Sequence, residues 1–123
     1  MPKVSVIIPT YQRAHLVSQA IESVLAQTYS DYEIIVVNNG STDNTTEVLS
    51  QFGDKIRVIH LHANTGPSVA RNLGMNASNG RYLAFLDDDD LWLPNKLEKQ
   101  IPYLDSHSNI GLIYRSSLRI SLQ

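Results

Sequence analysis

An α/β fold, with a mostly parallel sheet between two layers of helices, is predicted by three observations in this sequence. Strand-like apolar runs recur at residues 4–8, 33–37, 56–61 and 82–86. The segments between them carry apolar residues at helical spacing. The junctions hold Pro, Gly, Asn, Ser and Asp, which end strands and start helices. Strand, helix, strand in steady alternation is how a parallel sheet with covering helices is written.

Each element can be justified in turn. Val4-Ser5-Val6-Ile7-Ile8 is β-branched and almost continuously apolar, as a strand buried on both faces would be, and Pro9 stops it. Leu16, Val17, Ala20, Ile21, Val24 and Leu25 form one stripe of an amphipathic helix. Glu33-Ile34-Ile35-Val36-Val37 reads as the second buried strand, closed by the turn Asn38-Asn39-Gly40. Ser41, Thr42 and Asp43 offer oxygens to cap a helix whose buried side is Val48, Leu49 and Phe52. The third strand alternates through Ile56-Arg57-Val58-Ile59-His60-Leu61. The loop Asn64-Thr65-Gly66-Pro67 feeds a helix with Ala70, Leu73 and Ala77 inward, and Asn79-Gly80 is expected to close it in the left-handed conformation. Tyr82-Leu83-Ala84-Phe85-Leu86 is the fourth strand. A helix opening at Leu93-Pro94 follows, which Pro102 should bend or end, and then a fifth strand, Ile110-Gly111-Leu112-Ile113-Tyr114.

Length and composition narrow the function classes. The 123 residues suit one domain, and 42% hydrophobic residues suffice for a core. Net charge is −2 with Lys and Arg scattered, so the basic stripe that nucleic acid needs is missing. The absence of cysteine excludes disulfides and thiolate metal sites. No apolar run is long enough for a transmembrane segment, and Met1-Pro2-Lys3 enters a strand pattern without a signal-peptide cleavage region. A reducing, cytoplasmic setting is the expectation. Without GxGxxG after the first strand a dinucleotide site is not expected, and Pro9-Thr10-Tyr11 stands where a phosphate-accepting receiver needs acids.

In a parallel α/β sheet, ligands bind outside the carboxyl ends of the strands. That rule selects residues 9–13, 38–43, 64–67 and 87–90. In the last of these, Asp87, Asp88, Asp89 and Asp90 follow an apolar strand directly. Two unit charges about 4 Å apart repel by roughly 4 kcal/mol at an effective dielectric of 20. Such a cluster calls for a cation, water or raised pKa values. Oxygen donors without Cys or a nearby His favour Mg2+ or Mn2+. The competing reading is a solvated acidic turn that caps the following helix.

The stretch Phe85-Leu86-Asp87-Asp88-Asp89-Asp90-Leu91-Trp92-Leu93-Pro94 resembles the DxD region of family 2 glycosyltransferases, commonly FLDxDDxxxP. Val4-Ser5-Val6-Ile7-Ile8-Pro9-Thr10-Tyr11 resembles the first strand and nucleotide loop of that family. Gln27-Thr28-Tyr29, the strand Glu33-Ile34-Ile35-Val36-Val37 and Gly40-Ser41-Thr42-Asp43 resemble its second block, and Gly66 with Ala70-Arg71-Asn72-Leu73-Gly74 its arginine-bearing third helix. These blocks run in the family's order over nearly the whole chain. The resemblance implies a three-layer α/β/α, Rossmann-like GT-A fold, with residues 1–123 as the N-terminal part of the domain, truncated.

It also implies roles. Pro9, Thr10 and Tyr11 would hold the base and ribose of a nucleotide-diphospho-sugar, with Tyr11 against the base; the alternative is a plain turn with Tyr11 in the core. Arg13 suits a helix cap or a phosphate equally, and Arg71 would lie at the nucleotide unless it is a surface ion pair. Asp87 would contact the donor and, with Asp89, the metal; Asp88 and Asp90 rank second. The family usually has two aspartates where this chain has Asn38 and Asn39, the second accepting from the uracil ring. Asn39 keeps a carbonyl acceptor, loses the charge and gains donors, which favours weaker uridine binding or tolerance of another base. Trp92 is expected to pack under the next helix, and His60 and His62 to be structural or exposed.

Family 2 enzymes are inverting, and the resemblance implies a divalent metal, a donor that is a UDP-sugar unless Asn39 changes the base, and a part in cell-wall or polysaccharide synthesis. The acceptor would be a saccharide or a lipid-linked one at the inner face of the membrane. The catalytic base is expected beyond the end of this chain, so no catalytic residue is assigned. The rival reading is a non-catalytic nucleotide-binding module or an inert remnant. Residues 115–123 match no motif of the family, and an uncovered strand edge would favour self-association into a homo-oligomer.

Overall fold

The computed structural model describes residues 2–106, 112–115 and 118–122. Its elements are β1 (Val4–Thr10), α1 (Ala14–Leu25), β2 (Tyr32–Asn39), α2 (Thr45–Ser50), a 3-10 turn (Gly53–Lys55), β3 (Arg57–Leu61), α3 (Pro67–Ala77), β4 (Tyr82–Phe85), α4 (Lys96–Ser106), β5 (Leu112–Arg115) and β6 (Leu118–Leu122). One sheet runs β3-β2-β1-β4-β6-β5. The β1–β2, β2–β3 and β1–β4 pairs are parallel, whereas β6 is antiparallel to both β4 and β5.

The period of two along the strands explains the layers. Val4, Val6 and Ile8 of β1, with Ile34 and Val36 of β2, share one core with Val17, Ile21 and Val24 of α1, Leu49 of α2 and Leu97, Ile101 and Leu104 of α4. On the other face α3 packs on β1 and β2. It comes so close that a Cβ on Gly74 would stand 2.5 Å from the Cγ2 of Ile7. The three-layer α/β/α arrangement and the mostly parallel sheet agree with the fold read from the sequence.

Several details differ. Leu16 is exposed, since the buried stripe of α1 is Ala14, Val17, Ala20, Ile21 and Val24. Gly80 does not take the left-handed conformation. Its reason is close approach: a Cβ there would lie 2.5 Å from the backbone nitrogen of Ser5. Helix α4 begins at Lys96, not at Pro94, whose carbonyl accepts from the Thr28 N–H at 2.9 Å instead. Pro102 sits inside α4 without ending it. It falls on the exposed side, while Leu97, Ile101 and Leu104 bury the other and hold the helix together. Of the predicted fifth strand, residues 110–111 lie outside the described residues. Residues 118–122, which matched no motif, form β6 and insert between β4 and β5. Among the described residues no helix is long and apolar enough to cross a membrane.

Candidate functional site

Strands β1, β2 and β4 are neighbours, so the segments that leave their carboxyl ends converge. Thr10, the last residue of β1, is 3% exposed and donates from Oγ1 to Asp88 at 2.8 Å. The chain then turns through Gln12, whose φ of 56° is left-handed, a conformation unfavourable for a side chain of this kind. Four hydrogen bonds to the loop after β2 hold it there. The Gln12 N–H donates to Ser41 Oγ at 3.0 Å, and its side-chain Nε2 donates to Thr42 Oγ1 at 2.7 Å. Its Oε1 accepts from the N–H groups of Thr42 and Asp43 at 2.7 and 2.9 Å. Tyr11 and Arg13 flank this residue and both line the cleft. Tyr11 is 42% exposed, so it is not a core residue.

The four aspartates part company. Asp88 is buried, and its carboxylate is held by Thr10 and by Arg13 Nη1 at 3.2 Å. Burial pushes its carboxyl above the usual carboxylate range, against the hydrogen bonds of Thr10 and the Tyr11 N–H and the charge of Arg13. Asp87, Asp89 and Asp90 instead bring one carboxylate oxygen each to within 4.8 Å of one another. Arg13 also reaches Asp89 at 3.1 Å, and Arg71 of α3 reaches Asp87 at 3.6 Å. Both guanidiniums are partly exposed, and pairs of that kind are worth about 0–1 kcal/mol. The pairs with Asp87 and Asp89 therefore hold the arginines only weakly, while Arg13 keeps its further contact to buried Asp88.

Asn39 ends β2 and is 4% exposed. Its Oδ1 accepts from the N–H and the hydroxyl of Thr65, both at 2.9 Å, and its Nδ2 donates to the Gly66 carbonyl at 3.1 Å. Gly66 has φ 86° and precedes Pro67 at the start of α3. Asn38 does not line the cleft; its amide meets Thr46, His60 and the Ser41 N–H.

All eight residues expected at a nucleotide-sugar, namely Pro9, Thr10, Tyr11, Arg13, Asn39, Arg71, Asp87 and Asp88, together with Asp89, line one cleft of about 380 Å³. Asn64 and Pro67 line it too. They sit in a loop the strand-edge rule had selected but to which no role was given. Gln12 lies in the selected segment 9–13 but has no role in the sequence reading, because nothing in the sequence announces a left-handed glutamine. Trp92 packs in the core with Leu97 and Ile101, as expected. His60 and His62 are exposed.

The family model described as Glycosyl transferase family 2 matches residues 5–120. An uncharacterized glycosyltransferase of Rickettsia bellii is 47% identical over 109 residues, 88% of this chain and 16% of its own. The Escherichia coli UDP-Glc:alpha-D-GlcNAc-diphosphoundecaprenol beta-1,3-glucosyltransferase WfgD is 40% identical over 112 residues, 90% of this chain and 44% of its own. S. aureus TarS, solved in complex with UDP-GlcNAc, has a TM-score of 0.81 at 29% identity, over 86% of this chain and 32% of that one. The mannosyltransferase PcManGT of Pyrobaculum calidifontis, solved with GDP-Man and Mn2+, has the same fold, with a TM-score of 0.89 at 20% identity over 98% and 44% of the two chains. The chain thus spans only 16% and 44% of the lengths of these two curated relatives.

Proposed function

The chain belongs to glycosyl transferase family 2, and from that premise we propose that it is the donor-binding, N-terminal part of a GT-A glycosyltransferase domain. The whole enzyme would move a sugar from a nucleoside diphosphate to a saccharide or lipid-linked acceptor, with inversion. An acceptor hydroxyl attacks the anomeric carbon, the bond from that carbon to the diphosphate oxygen breaks, and the nucleoside diphosphate leaves. The base that takes the hydroxyl proton lies outside residues 1–123 in this reading. WfgD, with a diphosphoundecaprenol-linked acceptor in its name, supports the lipid-linked alternative for the acceptor.

The observation that carries this reading is the cleft that gathers Tyr11, Arg13, Asn39, Arg71, Asp87, Asp88 and Asp89. Tyr11 offers an exposed ring for a base. Arg13 and Arg71 are placed to hold the diphosphate oxygens.

The acidic residues fit a hard divalent cation. The carboxylates of Asp87, Asp89 and Asp90, each with an oxygen within 4.8 Å of the others, would hold such an ion. Four carboxyl groups face the two guanidiniums of Arg13 and Arg71, an acidic excess that one Mg2+ or Mn2+ would offset. A bound cation would supply Lewis-acid stabilisation of the charge on the departing diphosphate. Asp88 holds the loop from below and is not a ligand in this scheme.

Calorimetry with UDP, with and without Mn2+, on the wild type and Asp89→Ala tests the reading. Metal-dependent binding that the substitution removes is the expected outcome. If UDP, CDP and GDP all failed to bind the wild type with Mn2+ present, the reading would be wrong.

A further inference from the structure

We infer that Asn39 is a strut for the loop in front of α3 and does not accept a hydrogen bond from a nucleobase, so that the cleft takes cytidine and uridine diphosphates alike. The inference rests on the cleft's being a nucleotide site, as proposed above.

The orientation of the Asn39 amide is fixed by its neighbours. The Thr65 backbone N–H can only donate and the Gly66 carbonyl can only accept. The amide oxygen must therefore face Thr65, at 2.9 Å, and the nitrogen must face Gly66, at 3.1 Å. The Thr65 hydroxyl gives the same oxygen a second donor at 2.9 Å. An amide oxygen has two lone pairs, and both are taken. What Asn39 has left for a ligand is one N–H. A uracil ring presents N–H at its N3 edge, and a donor facing a donor gains nothing. The remaining N–H meets an acceptor on either base, since uracil and cytosine both carry a carbonyl oxygen beside that ring position, so it does not tell the two apart. Asn39 thus supplies no preference for uracil.

The three bonds have a mechanical use instead. They join the end of β2 to residues 65–66, and Gly66 leads directly into α3, which carries Arg71 to Asp87. Asn64 adds a fourth bond, from the Gly66 N–H to its own Oδ1 at 2.8 Å. Freeing the loop would loosen the start of α3 and the arginine it positions.

Asn39→Ala and Asn39→Asp separate the two roles. The alanine removes every bond. The aspartate keeps both acceptor bonds to Thr65 but puts an oxygen where the Gly66 carbonyl had a donor, and that oxygen, at the wall of the cleft, has lone pairs that neither Thr65 nor Gly66 fills. Calorimetry with Mn2+ should give UDP and CDP dissociation constants within about threefold of each other for the wild type. Asn39→Ala should weaken both by about tenfold without changing their ratio, and Asn39→Asp should create a preference for UDP. Amide hydrogen exchange without nucleotide should show Thr65 exchanging about tenfold faster in Asn39→Ala and near the wild-type rate in Asn39→Asp.

A wild-type preference for UDP of tenfold or so that disappears in Asn39→Ala would overturn the inference. So would an unchanged Thr65 exchange rate in the alanine variant. Thr65→Val, which removes only the hydroxyl donor, is the milder variant should Asn39→Ala fail to fold; it should leave the nucleotide ratio unchanged. If neither nucleotide binds the wild type, the proposed function fails, and the exchange measurement still decides whether Asn39 is a strut.

Discussion

The Thr10 hydroxyl donates to the Asp88 carboxylate at 2.8 Å and so ties the end of β1 to the loop after β4, 78 residues further along the chain. Both residues are buried, and the bond is the floor of the cleft. Thr10→Val should leave that carboxylate short of a donor and cost about 1–3 kcal/mol in denaturant unfolding. Nucleotide affinity should fall with it, because Arg13 leans on the same carboxylate.

Asp88 also makes a pH prediction. Burial raises its folded-state pKa, so below the unfolded value of about 3.9 the group is neutral in both states and costs nothing. As pH rises through the window between the unfolded and the raised folded value, the native state holds the extra proton and stability falls. Asp88→Asn should flatten stability against pH in that window. A curve as steep as that of the wild type would show that Asp88 is not the group titrating.

Glu33 titrates with the opposite sign. Burial pushes its carboxyl up, but hydrogen bonds from Ser5 Oγ (2.5 Å), the Asn79 N–H (2.6 Å) and Arg57 (2.8 Å) outweigh it and hold the pKa down. Its stabilisation is complete above the unfolded value of about 4.3 and is lost as pH falls through the lowered folded value. Glu33→Gln should cost about 1–3 kcal/mol at neutral pH and remove part of the acid sensitivity, both measurable by urea titrations at several pH values.

Two glycines separate backbone conformation from crowding. Gly53 is left-handed with open space where a Cβ would go, so Gly53→Ala should cost about 1–2 kcal/mol. Gly40 is left-handed too, but its Cβ would run into the backbone of Ala63 and Asn64. Gly40→Ala should be worse by a further 1–3 kcal/mol or so in thermal unfolding and should weaken nucleotide binding. Equal losses would mean that the two loops move apart freely.

Mn2+ binding in the absence of nucleotide, followed by electron paramagnetic resonance, should weaken about tenfold or more in Asp89→Asn and in Asp87→Asn. Asp54→Asn, at an exposed turn away from the cleft, should leave it unchanged.

Much of this was legible in the sequence because two simple regularities govern it. Apolar periods of two and of about 3.6 residues separate strands from helices, and strand carboxyl ends mark the site. Thus Pro9, Asn39 and Asp87 could be named before their neighbours in space were known. What sequence could not tell is which of four identical, consecutive carboxylates turns inward. The resemblance ranked Asp88 second, at a variable position, yet it is the buried one, through contacts to Thr10 and Arg13 some 75 residues or more away. The saturated amide of Asn39 was equally hidden, since its partners belong to another loop. Pro102 misled because helix propensity is local, whereas the burial that keeps α4 together is not.

The place of β1 in the sheet has a consequence for how the protein is made. β1 precedes β4 by more than 70 residues in the chain, and one of its edges is completed only by β4, through pairs such as Val4 with Tyr82 and Ile7 with Phe85. At ribosomal speeds of about 5–20 residues per second, that edge waits on the order of 4 to 15 s for its partner. Throughout the interval a β-branched, nearly all-apolar segment has open hydrogen-bonding groups and nothing on that side to pair with. The nascent chain is therefore most exposed to aggregation before residue 82 emerges, and shielding by a chaperone would matter most in those seconds.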